Sequence, residues 1–425
     1  MKSLIEFIKA STDCWHTTAE VENILKENGF EYLAEEQSWD LKKGGNYYTT
    51  RNMSSLIAFK IPQNGFKSYM IGAAHGESPG LKLKAIPQMS DGNYIRLNTE
   101  LYGGPVLTSW FDRPLSVSGR VVVDNGDCLE TRLVNIDKDL LVIPSVAPHL
   151  EKTRDINVQR DLMPLYALYS EKNDFMEEVA REAKAKKEQL LGCDLMVYNR
   201  EEGRIWGPNN EFISAPRLDD LQCVYALLDG FLEGENHNAI NVYCVFDNEE
   251  VGSGTKQGAK SDFLPSVLRR INKGFGGDYQ ELCLALAASF MVSADNAHGI
   301  HPNRKELSDC DNFPVIGKGV VIKYNASQKY TTDAVSEAIF KKICDRVDVP
   351  RQVYVNKSDI AGGTTLGNLA AEKTCVNTVD IGLPQIAMHS AWETAGADDT
   401  EYLTRAMKEF YSVGISVENG NYKIK

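Results

Sequence analysis

The sequence lacks the cysteine pattern of a disulfide framework or of a cysteine zinc site. Its nine cysteines are odd in number, are scattered over 425 residues and never show C-x-x-C spacing. We interpret them as reduced thiols of a cytosolic protein. No apolar run is long enough to cross a bilayer, and the N-terminal residues carry no secretory-signal pattern. These absences predict a cytoplasmic protein without a membrane partner.

Basic residues are also too few for a protein that binds polyanions. Lys and Arg number 46 against 59 Asp and Glu, which gives a net charge of -13. This charge argues against nucleic acid and anionic membrane surfaces as partners. Internal repeats and low-complexity segments are absent as well. With 43% hydrophobic and 25% charged residues, the chain has an ordinary globular composition, and its length suggests two domains or one domain with an insertion.

The predicted secondary structure changes in type twice along the chain. After residue 204, helix-like and strand-like segments alternate, which predicts an α/β sheet with helices on both faces. Between residues 84 and 203, short strands and turn signals dominate. We therefore predict a mixed α/β fold built from residues 1–83 and 204–425, with a β-rich domain of residues 84–203 inserted into it.

Apolar periodicity predicts the individual elements. Helices are predicted as a pair within 3–30 and at 171–192, 218–232, 332–347 and 399–411. Strands are predicted at 47–50, 56–59, 69–74, 121–123, 140–144, 239–246, 282–287, 290–292 and 375–382.

One short stretch is chemically unusual. The apolar run 239–246 is followed by three acids within four residues, among them Glu249 and Glu250. Burying unpaired carboxylates is costly, so a basic side chain or a metal is expected at this strand end. Gly252 and Gly254 permit a turn through which both glutamates can face one site, although neighbours on a regular strand point to opposite faces. One glutamate could then bind a metal while the other takes a proton from water; the alternative is a solvated acidic loop.

Two of the seven histidines, His75 and His389, follow apolar strand-like runs. A single histidine of this kind is more often a hydrogen-bonded structural residue than a ligand. Asp295 also follows an apolar run, and Asp219 lies at a predicted helix start, where an N-cap is the simpler interpretation. Open α/β sheets bind ligands outside the carboxyl ends of their strands. Together these residues predict a dinuclear metal site with one bridging carboxylate, suited to zinc, cobalt or manganese.

The chain resembles the aspartyl aminopeptidases, a family of dinuclear zinc exopeptidases. The resemblance covers nearly the whole chain and rests on six segments in the family's order. They are 74–79 (AHGESP), 110–113 (WFDR) with 119–121 (GRV), 216–219 (PRLD), 249–253 (EEVGS), 295–298 (DNAH) with 301–303 (HPN), and 388–390 (MHS). The resemblance implies an α/β zinc-exopeptidase catalytic domain with an inserted β-rich dimerisation domain. It also implies assembly of dimers into tetrahedral dodecamers.

The resemblance implies roles for the residues of the site. Two divalent metal ions per subunit are expected, zinc first, with cobalt or manganese as alternatives. Glu249 would be the general base, and Glu77 would orient the metal-binding imidazole of His75. Glu77 departs from the family, which usually has Asp there, and Asp220 stands where many members have Asn. The implied metal ligands are His75 and Asp295 for one ion, Glu250 and His389 for the other, and Asp219 as the bridge.

The implied substrates are peptides with an acidic N-terminal residue, Asp or Glu. Lys323 would pair with the acidic side chain, and Tyr330 and His298 would line the same pocket. His149 would reach the active site from the inserted domain of a neighbouring subunit. Without the resemblance, Lys323 would be interpreted as a surface residue at a strand end and His149 as a loop histidine.

Competing interpretations differ in what the site does. The same metal chemistry could act on neutral or basic N-terminal residues. A catalytically inactive assembly could bind peptides without cleaving them, but every implied ligand and the implied base are present. A nucleotide-binding enzyme is not supported, because residues 252–256 (GSGTK) lack the spacing of a phosphate-binding loop. Asp247 has no implied role beyond support of its neighbours.

Overall fold

The computed structural model describes residues 2–151 and 155–425. None of the helices in these two ranges combines the length and apolar character that crossing a membrane requires. The α-helices are α1 Leu4–Ala10, α2 Cys14–Glu27, α3 Val158–Asp161, α4 Phe175–Glu182, α5 Leu218–Glu233, α6 Phe263–Gly274, α7 Tyr279–Ala287, α8 Ala334–Arg346, α9 Leu366–Thr374 and α10 Asp399–Phe410. The strands are β1 Glu31–Tyr32, β2 Asn46–Arg51, β3 Ser55–Lys60, β4 Ser68–His75, β5 Gly80–Ser90, β6 Tyr94–Tyr102, β7 Leu115–Asp124, β8 Leu129–Asn135, β9 Leu165–Leu168, β10 Leu190–Asn199, β11 Arg204–Trp206, β12 Phe212–Ala215, β13 Ala239–Phe246, β14 Phe290–Ala294, β15 Ala297–His298, β16 Val320–Tyr324, β17 Arg351–Val355, β18 Asn377–Gly382, β19 Pro384–Ile386, β20 Glu393–Gly396, β21 Ile415–Glu418 and β22 Asn421–Ile424.

The largest sheet has nine strands in the order β1-β2-β3-β13-β4-β14-β18-β16-β17. Its centre is parallel, because β4 pairs in parallel with β13 on one side and with β14 on the other, and β14 pairs in parallel with β18. Strands β3 and β16 run antiparallel to β13 and β18. Every residue of β4 and β13 is buried, as expected for apolar central strands that are covered on both faces.

Two hydrophobic cores lie on the two faces of this sheet. One core contains buried residues of α1, α2, α5, α8 and α10. The other contains buried residues of α6, α7 and α9. Successive residues of β13 divide between them, with Val245 in the first core and Cys244 and Phe246 in the second, because neighbouring side chains on a strand point to opposite faces. The predicted mixed α/β sheet flanked by helices is confirmed.

A second, six-stranded sheet is antiparallel and has the order β8-β7-β10-β5-β6-β9. It spans Gly80 to Asn199 and has a hydrophobic core of its own. Leu81 of β5 lies opposite Val197 of β10, so the chain enters and leaves this sheet on neighbouring strands. The predicted boundary at residue 84 falls inside β5, and the boundary at 203 lies beyond the end of β10. The division of the chain into domains stays a prediction.

Three predicted elements are wrong. Residues 282–287 belong to helix α7 and are not a strand. Asp278 and Glu281 cap this helix reciprocally, and only Leu282 and Ala285, which lie one helical turn apart, are buried in it. The helix predicted at 171–192 is limited to α4, because the chain turns at Lys184 with φ 53° and begins β10 at Leu190. Residues 140–144 form isolated bridges instead of a strand.

Candidate active site

The site lies at the carboxyl edge of the large sheet. Strand β4 ends at His75, which lies opposite Phe246, the last residue of the neighbouring strand β13. On the other side of β4, the parallel strand β14 ends at Ala294, directly before Asp295. The ends of parallel strands meet at one edge of a sheet, where open α/β sheets bind their ligands. The pairing therefore brings His75, Asp295 and the acids after β13 to the same edge.

A tight turn replaces the extended strand directly after Phe246. Asn248 adopts a left-handed conformation with φ 64°, a 3₁₀ turn covers Glu249–Val251, and Gly252 follows with φ 91°. Asn and Gly are the residues that best tolerate positive φ. Both Glu249 and Glu250 line a single cavity as a result.

The side chain of Asp247 stabilises this turn. It accepts hydrogen bonds from Ser54 Oγ at 2.6 Å, from Gln257 Nε2 at 3.3 Å and from the main-chain N–H of Asn248 at 2.8 Å. Burial and the nearby charge of Glu77 raise the pKa of Asp247 to about 7. These contacts hold in place the segment that carries Glu249 and Glu250. They give a structural role to Asp247, for which the sequence indicated only support of its neighbours.

Asp219 lies between the two histidines. Its Oδ1 is 3.5 Å from His75 Nε2, and its Oδ2 is 3.5 Å from His389 Nε2. His389 Nε2 also lies 3.2 Å from Glu250 Oε1. Ligand atoms of His75, Asp219 and Glu250 lie within 4.8 Å of one another, and so do carboxylate oxygens of Asp219, Asp220 and Asp295. Asp219 belongs to both groups, as a bridging ligand would.

The unpaired oxygens of this cluster fit a bound cation. Asp219 Oδ1 and Asp220 Oδ1 are buried and accept no hydrogen bond from the described residues. A buried carboxylate oxygen that accepts no hydrogen bond is costly, so such atoms favour a bound cation nearby. Imidazole nitrogens and carboxylate oxygens without thiolate are ligands that suit zinc, cobalt or manganese. The donor set of the chain therefore fits a divalent metal centre.

The electrostatics of the cluster agree with this fit. Burial is the main reason that the pKa of Glu249 lies well above its usual range. Burial alone would lower the pKa of His389, but its hydrogen bond to Glu250 and the charge of that residue raise it to about 10. The positively charged imidazole of His389 thus acts as a counterion to crowded carboxylates. Cations compete with protons for the same atoms in such sites.

Main-chain carbonyls turn the two imidazoles toward Asp219. His75 Nδ1 donates to the main-chain oxygen of Glu77 at 3.0 Å, and His389 Nδ1 donates to the carbonyl of Gly104 at 3.0 Å. Carbonyl partners of this kind orient metal-binding histidines and fix their tautomers. The carboxylate of Glu77 also accepts from the main-chain N–H of Glu250 at 3.1 Å. Glu77 thereby connects His75 to the turn that carries Glu250.

Two further acids support the site: Glu393, which the sequence analysis did not single out, and Asp220, which it noted only as a departure from the family. Glu393 is buried and accepts from the main-chain N–H of Asp219 at 3.0 Å and from that of His389 at 2.7 Å. Asp220, joined to Asp219 by a cis peptide bond, accepts from the main-chain N–H of His75 at 3.3 Å. The contact of Glu393 with Asp219 and that of Asp220 with His75 each join segments that are far apart in the sequence. For Glu393, its position four residues after His389 was the signal that the sequence offered.

The cluster of histidines and carboxylates forms one side of a cavity of about 300 Å³. His298, Lys323 and Tyr330 line the same cavity, and His298 is exposed in it. Lys323 is buried and contacts Asp295. His149 lies apart from the cavity of its own chain, in an exposed turn. The structure therefore brings together all the predicted site residues except His149.

A mixed α/β sheet with histidines and carboxylates converging at its carboxyl edge defines a metallohydrolase. The chain belongs to the M18 family, since residues 7–411 match the family model described as "Aminopeptidase I zinc metalloprotease (M18)". The predicted resemblance to the aspartyl aminopeptidases is thus confirmed, and the protein is a metallo-aminopeptidase of this family.

Individual relatives agree with this assignment. A protein of Clostridium acetobutylicum named "Probable M18 family aminopeptidase 2" is 44% identical and covers 97% of this chain and 98% of its own length. The chain in the "Cryo-EM structure of the Ape4 and Nbr1 complex" has a TM-score of 0.92 at 33% identity over 96% of this chain and 84% of that one. The "Structure of S. cerevesiae mApe1 dodecamer" has a TM-score of 0.85 at 26% identity over 96% and 95% of the two chains.

Proposed function

We propose that the protein removes the N-terminal residue of peptides by hydrolysis at a two-metal centre and prefers acidic N-terminal residues. The observation that carries this proposal is the position of Asp219, with one carboxylate oxygen toward His75 and the other toward His389. A carboxylate placed in this way suits two ions better than one.

The residues of the cluster divide between the two ions. His75 and Asp295 would hold one, Glu250 and His389 the other, and Asp219 would bridge them. Zinc is the metal that the family description names, and cobalt or manganese suit the same ligands. When bound, such ions polarise the scissile carbonyl and lower the pKa of water.

Glu249 would act as the general base. It lines the cavity beside the cluster but belongs to neither group of converging ligand atoms. Its carboxylate is thus free to take a proton from the attacking water and to pass it to the leaving amine. Burial raises the pKa of Glu249, which makes its carboxylate a stronger base for this transfer.

The walls of the cavity support a preference for acidic residues. The acids that line it are Asp219, Glu249, Glu250 and Asp295. All four belong to the metal cluster or to the proposed base. Lys323 and the exposed His298 also line the cavity. An acidic side chain would meet positive and hydrogen-bonding groups there, whereas a basic one would meet the charge of Lys323. The alternative is a neutral or basic preference with the same chemistry, and a panel of substrates decides between the two.

Assembly would complete the site. The related S. cerevisiae protein is described as a dodecamer, and we propose a tetrahedral dodecamer of dimers for this chain. Residues 84–203 would form the dimerisation domain. His149, exposed in this segment, would reach the cavity of a neighbouring subunit. All nine cysteines are free thiols, in keeping with a cytoplasmic location.

A panel of aminoacyl p-nitroanilides tests the proposal. Substrates of Asp, Glu, Leu and Lys are compared with chelated protein and after addition of zinc, cobalt or manganese. We expect hydrolysis only with metal, and kcat/KM at least about tenfold higher for Asp and Glu than for Leu and Lys. Full activity of protein shown to be free of metal would refute the metal centre. A higher kcat/KM for Leu or Lys would refute the acidic preference and leave the chemistry intact.

A further inference from the structure

Two loops form part of the cavity wall, and each of them connects a strand to a helix. Residues 325–333 link β16 to α8, and residues 356–365 link β17 to α9. Tyr330 of the first loop lines the cavity, and so do Gly363 and Thr364 of the second. Both loops lie outside helices and strands, so their positions depend on contacts with other parts of the chain.

One buried carboxylate contacts both loops. It belongs to Asp380 of β18, which is fully buried. The Oδ2 atom accepts hydrogen bonds from the main-chain N–H of Thr331 at 2.6 Å and from Thr331 Oγ1 at 2.7 Å. The Oδ1 atom accepts a hydrogen bond from Thr365 Oγ1 at 2.7 Å. Each carboxylate oxygen therefore holds one of the two loops.

The two threonines directly follow residues of the cavity wall. Tyr330 precedes Thr331, and Thr364 precedes Thr365. The centre of the Tyr330 ring lies 5.2 Å from Lys323 Nζ, a distance at which a cation is attracted to an aromatic face. A shift of Thr331 would thus move the ring that lies beside the cation proposed to meet an acidic side chain.

A further contact joins the two loops to each other. Lys329 Nζ donates to the main-chain oxygen of Ala361 at 3.0 Å and to that of Gly362 at 2.7 Å. Asp380 connects both loops to the sheet, and hydrogen bonds to a charged group are about twice as strong as those between neutral partners. The loops therefore form one unit that Asp380 anchors to β18.

We propose that Asp380 is a positioning residue for substrate selection, which holds Tyr330 and Thr364 in the arrangement that recognises an acidic N-terminal residue. Asp380 lies outside both groups of converging ligand atoms and outside the lining of the cavity, so it acts through the two loops. This inference rests on the proposed function as an aminopeptidase with an acidic preference.

Three substitutions break these contacts in different ways. Asp380→Ala removes the acceptors of both loops. Asp380→Asn keeps an oxygen for Thr331 and an amide that can donate to the hydroxyl of Thr365. Thr365→Val releases only the second loop, because it removes one hydroxyl and leaves the size of the side chain and the charge of Asp380 unchanged.

Two matched controls disturb similar contacts elsewhere. Asp399 is also buried and accepts from main-chain N–H groups of a loop, at 2.7 Å from Gly317 and at 2.9 Å from Gly319. Both glycines lie outside the cavity, so Asp399→Asn is the control for the aspartate. Thr374 is buried at the other end of α9 and donates to the carbonyl of Ala370, so Thr374→Val is the control for the threonine.

Three quantities are measured for each protein at saturating zinc. The kcat/KM values for Asp and Leu p-nitroanilides give the substrate preference. Zinc per subunit, measured by mass spectrometry, reports on the metal centre. Hydrogen–deuterium exchange of peptides that cover residues 325–333 and 356–365 shows how firmly the two loops are held.

A misplacement of about 1 Å can cost about 100-fold in rate. We expect Asp380→Ala to lower the ratio of kcat/KM for Asp over Leu at least about tenfold, mainly through KM for Asp, with the zinc content of wild type. Both loops should exchange at least about fivefold faster. Asp380→Asn should lie between wild type and Asp380→Ala. Thr365→Val should speed exchange mainly in 356–365, and both controls should keep the Asp-to-Leu ratio within about threefold of wild type.

An unchanged Asp-to-Leu ratio in Asp380→Ala and Thr365→Val would overturn the proposal, even if the loops exchanged faster. An equal loss for both substrates together with a loss of zinc would overturn it as well, because it would show a role in the metal centre. If Asp380→Ala fails to fold, the same criteria apply to Asp380→Asn and Thr365→Val. If wild-type protein binds zinc but cleaves no substrate of the panel, the proposed function fails. The ratio of affinities for free Asp and free Leu, measured by calorimetry, then tests the role of Asp380 by the same criteria.

Discussion

Replacement of Glu249 by Gln removes a carboxylate while keeping the size and polarity of the side chain. Glu249 lines the cavity but is not among the converging ligand atoms of His75, Asp219 and Glu250 or of Asp219, Asp220 and Asp295. We therefore expect Glu249→Gln to bind zinc as wild type does. Its turnover should fall steeply, because an amide cannot take a proton from water.

The size of the loss follows from the role of a general base. Such a group contributes about 10²–10⁴-fold to the rate, which corresponds to about 2.7–5.5 kcal/mol of activation free energy. The loss should appear in kcat and leave KM nearly unchanged, because Glu249 would act in the transition state. Steady-state kinetics at saturating zinc and zinc analysis of the same samples measure both effects.

The neighbouring residue provides a matched control. Glu250 lies 3.2 Å from His389 Nε2 and is among the converging ligand atoms, so Glu250→Gln should lose zinc as well as activity. Glu249→Gln with turnover within about threefold of wild type would refute the assignment of the base. Equal loss of zinc in both variants would refute the division of roles between the two glutamates.

Two further predictions concern assembly and acid stability. His149→Ala should lose kcat but keep its zinc and its oligomeric state. His237, another exposed histidine, provides the control, and His237→Ala should behave as wild type does. An unchanged kcat in His149→Ala would contradict a role of His149 in a neighbouring subunit's active site. Burial raises the pKa of Asp399 to about 6, well above the ordinary value of an aspartate, so the folded state binds its proton more tightly than the unfolded state does. As the pH rises from about 4 to about 6, the free energy of unfolding of wild type should therefore fall by up to about 3 kcal/mol relative to that of Asp399→Asn. Above this range the difference between the two proteins should stay constant. Urea unfolding of both proteins across this range measures the difference, and a constant or widening advantage of wild type would contradict it.

The sequence was most informative where apolar runs end in polar residues. The run before Glu249 predicted β13 at the residues where it occurs, because a buried parallel strand needs an unbroken apolar stretch. The same reasoning failed at 282–287, where a short apolar run belongs to helix α7. Short runs of this kind do not distinguish strand from helix. The reciprocal cap of Asp278 and Glu281 was the better signal.

The hydrogen bonds that support the site could not be predicted from the sequence. The convergence of His75 and Asp295 could be expected, because each lies at the end of an apolar run and parallel strands end at the same edge of a sheet. The contacts of Glu393 and Lys323 involve main-chain atoms of Asp219, His389 and Asp295. No spacing in a single chain shows which main-chain groups will meet a given side chain. The buried position of Lys323 likewise became visible only in the folded chain.

The pairing of β5 with β10 has a consequence for how the family can diversify. Because Leu81 lies opposite Val197, the two ends of the six-stranded sheet are separated by one strand spacing, about 5 Å. Residues can be added or removed between Leu81 and Val197 without changing the distance between the points at which the chain enters and leaves the six-stranded sheet. Insertions are tolerated best where both ends adjoin in this way. The sheet can therefore acquire new lengths and new surfaces while His75, just before it, keeps its place.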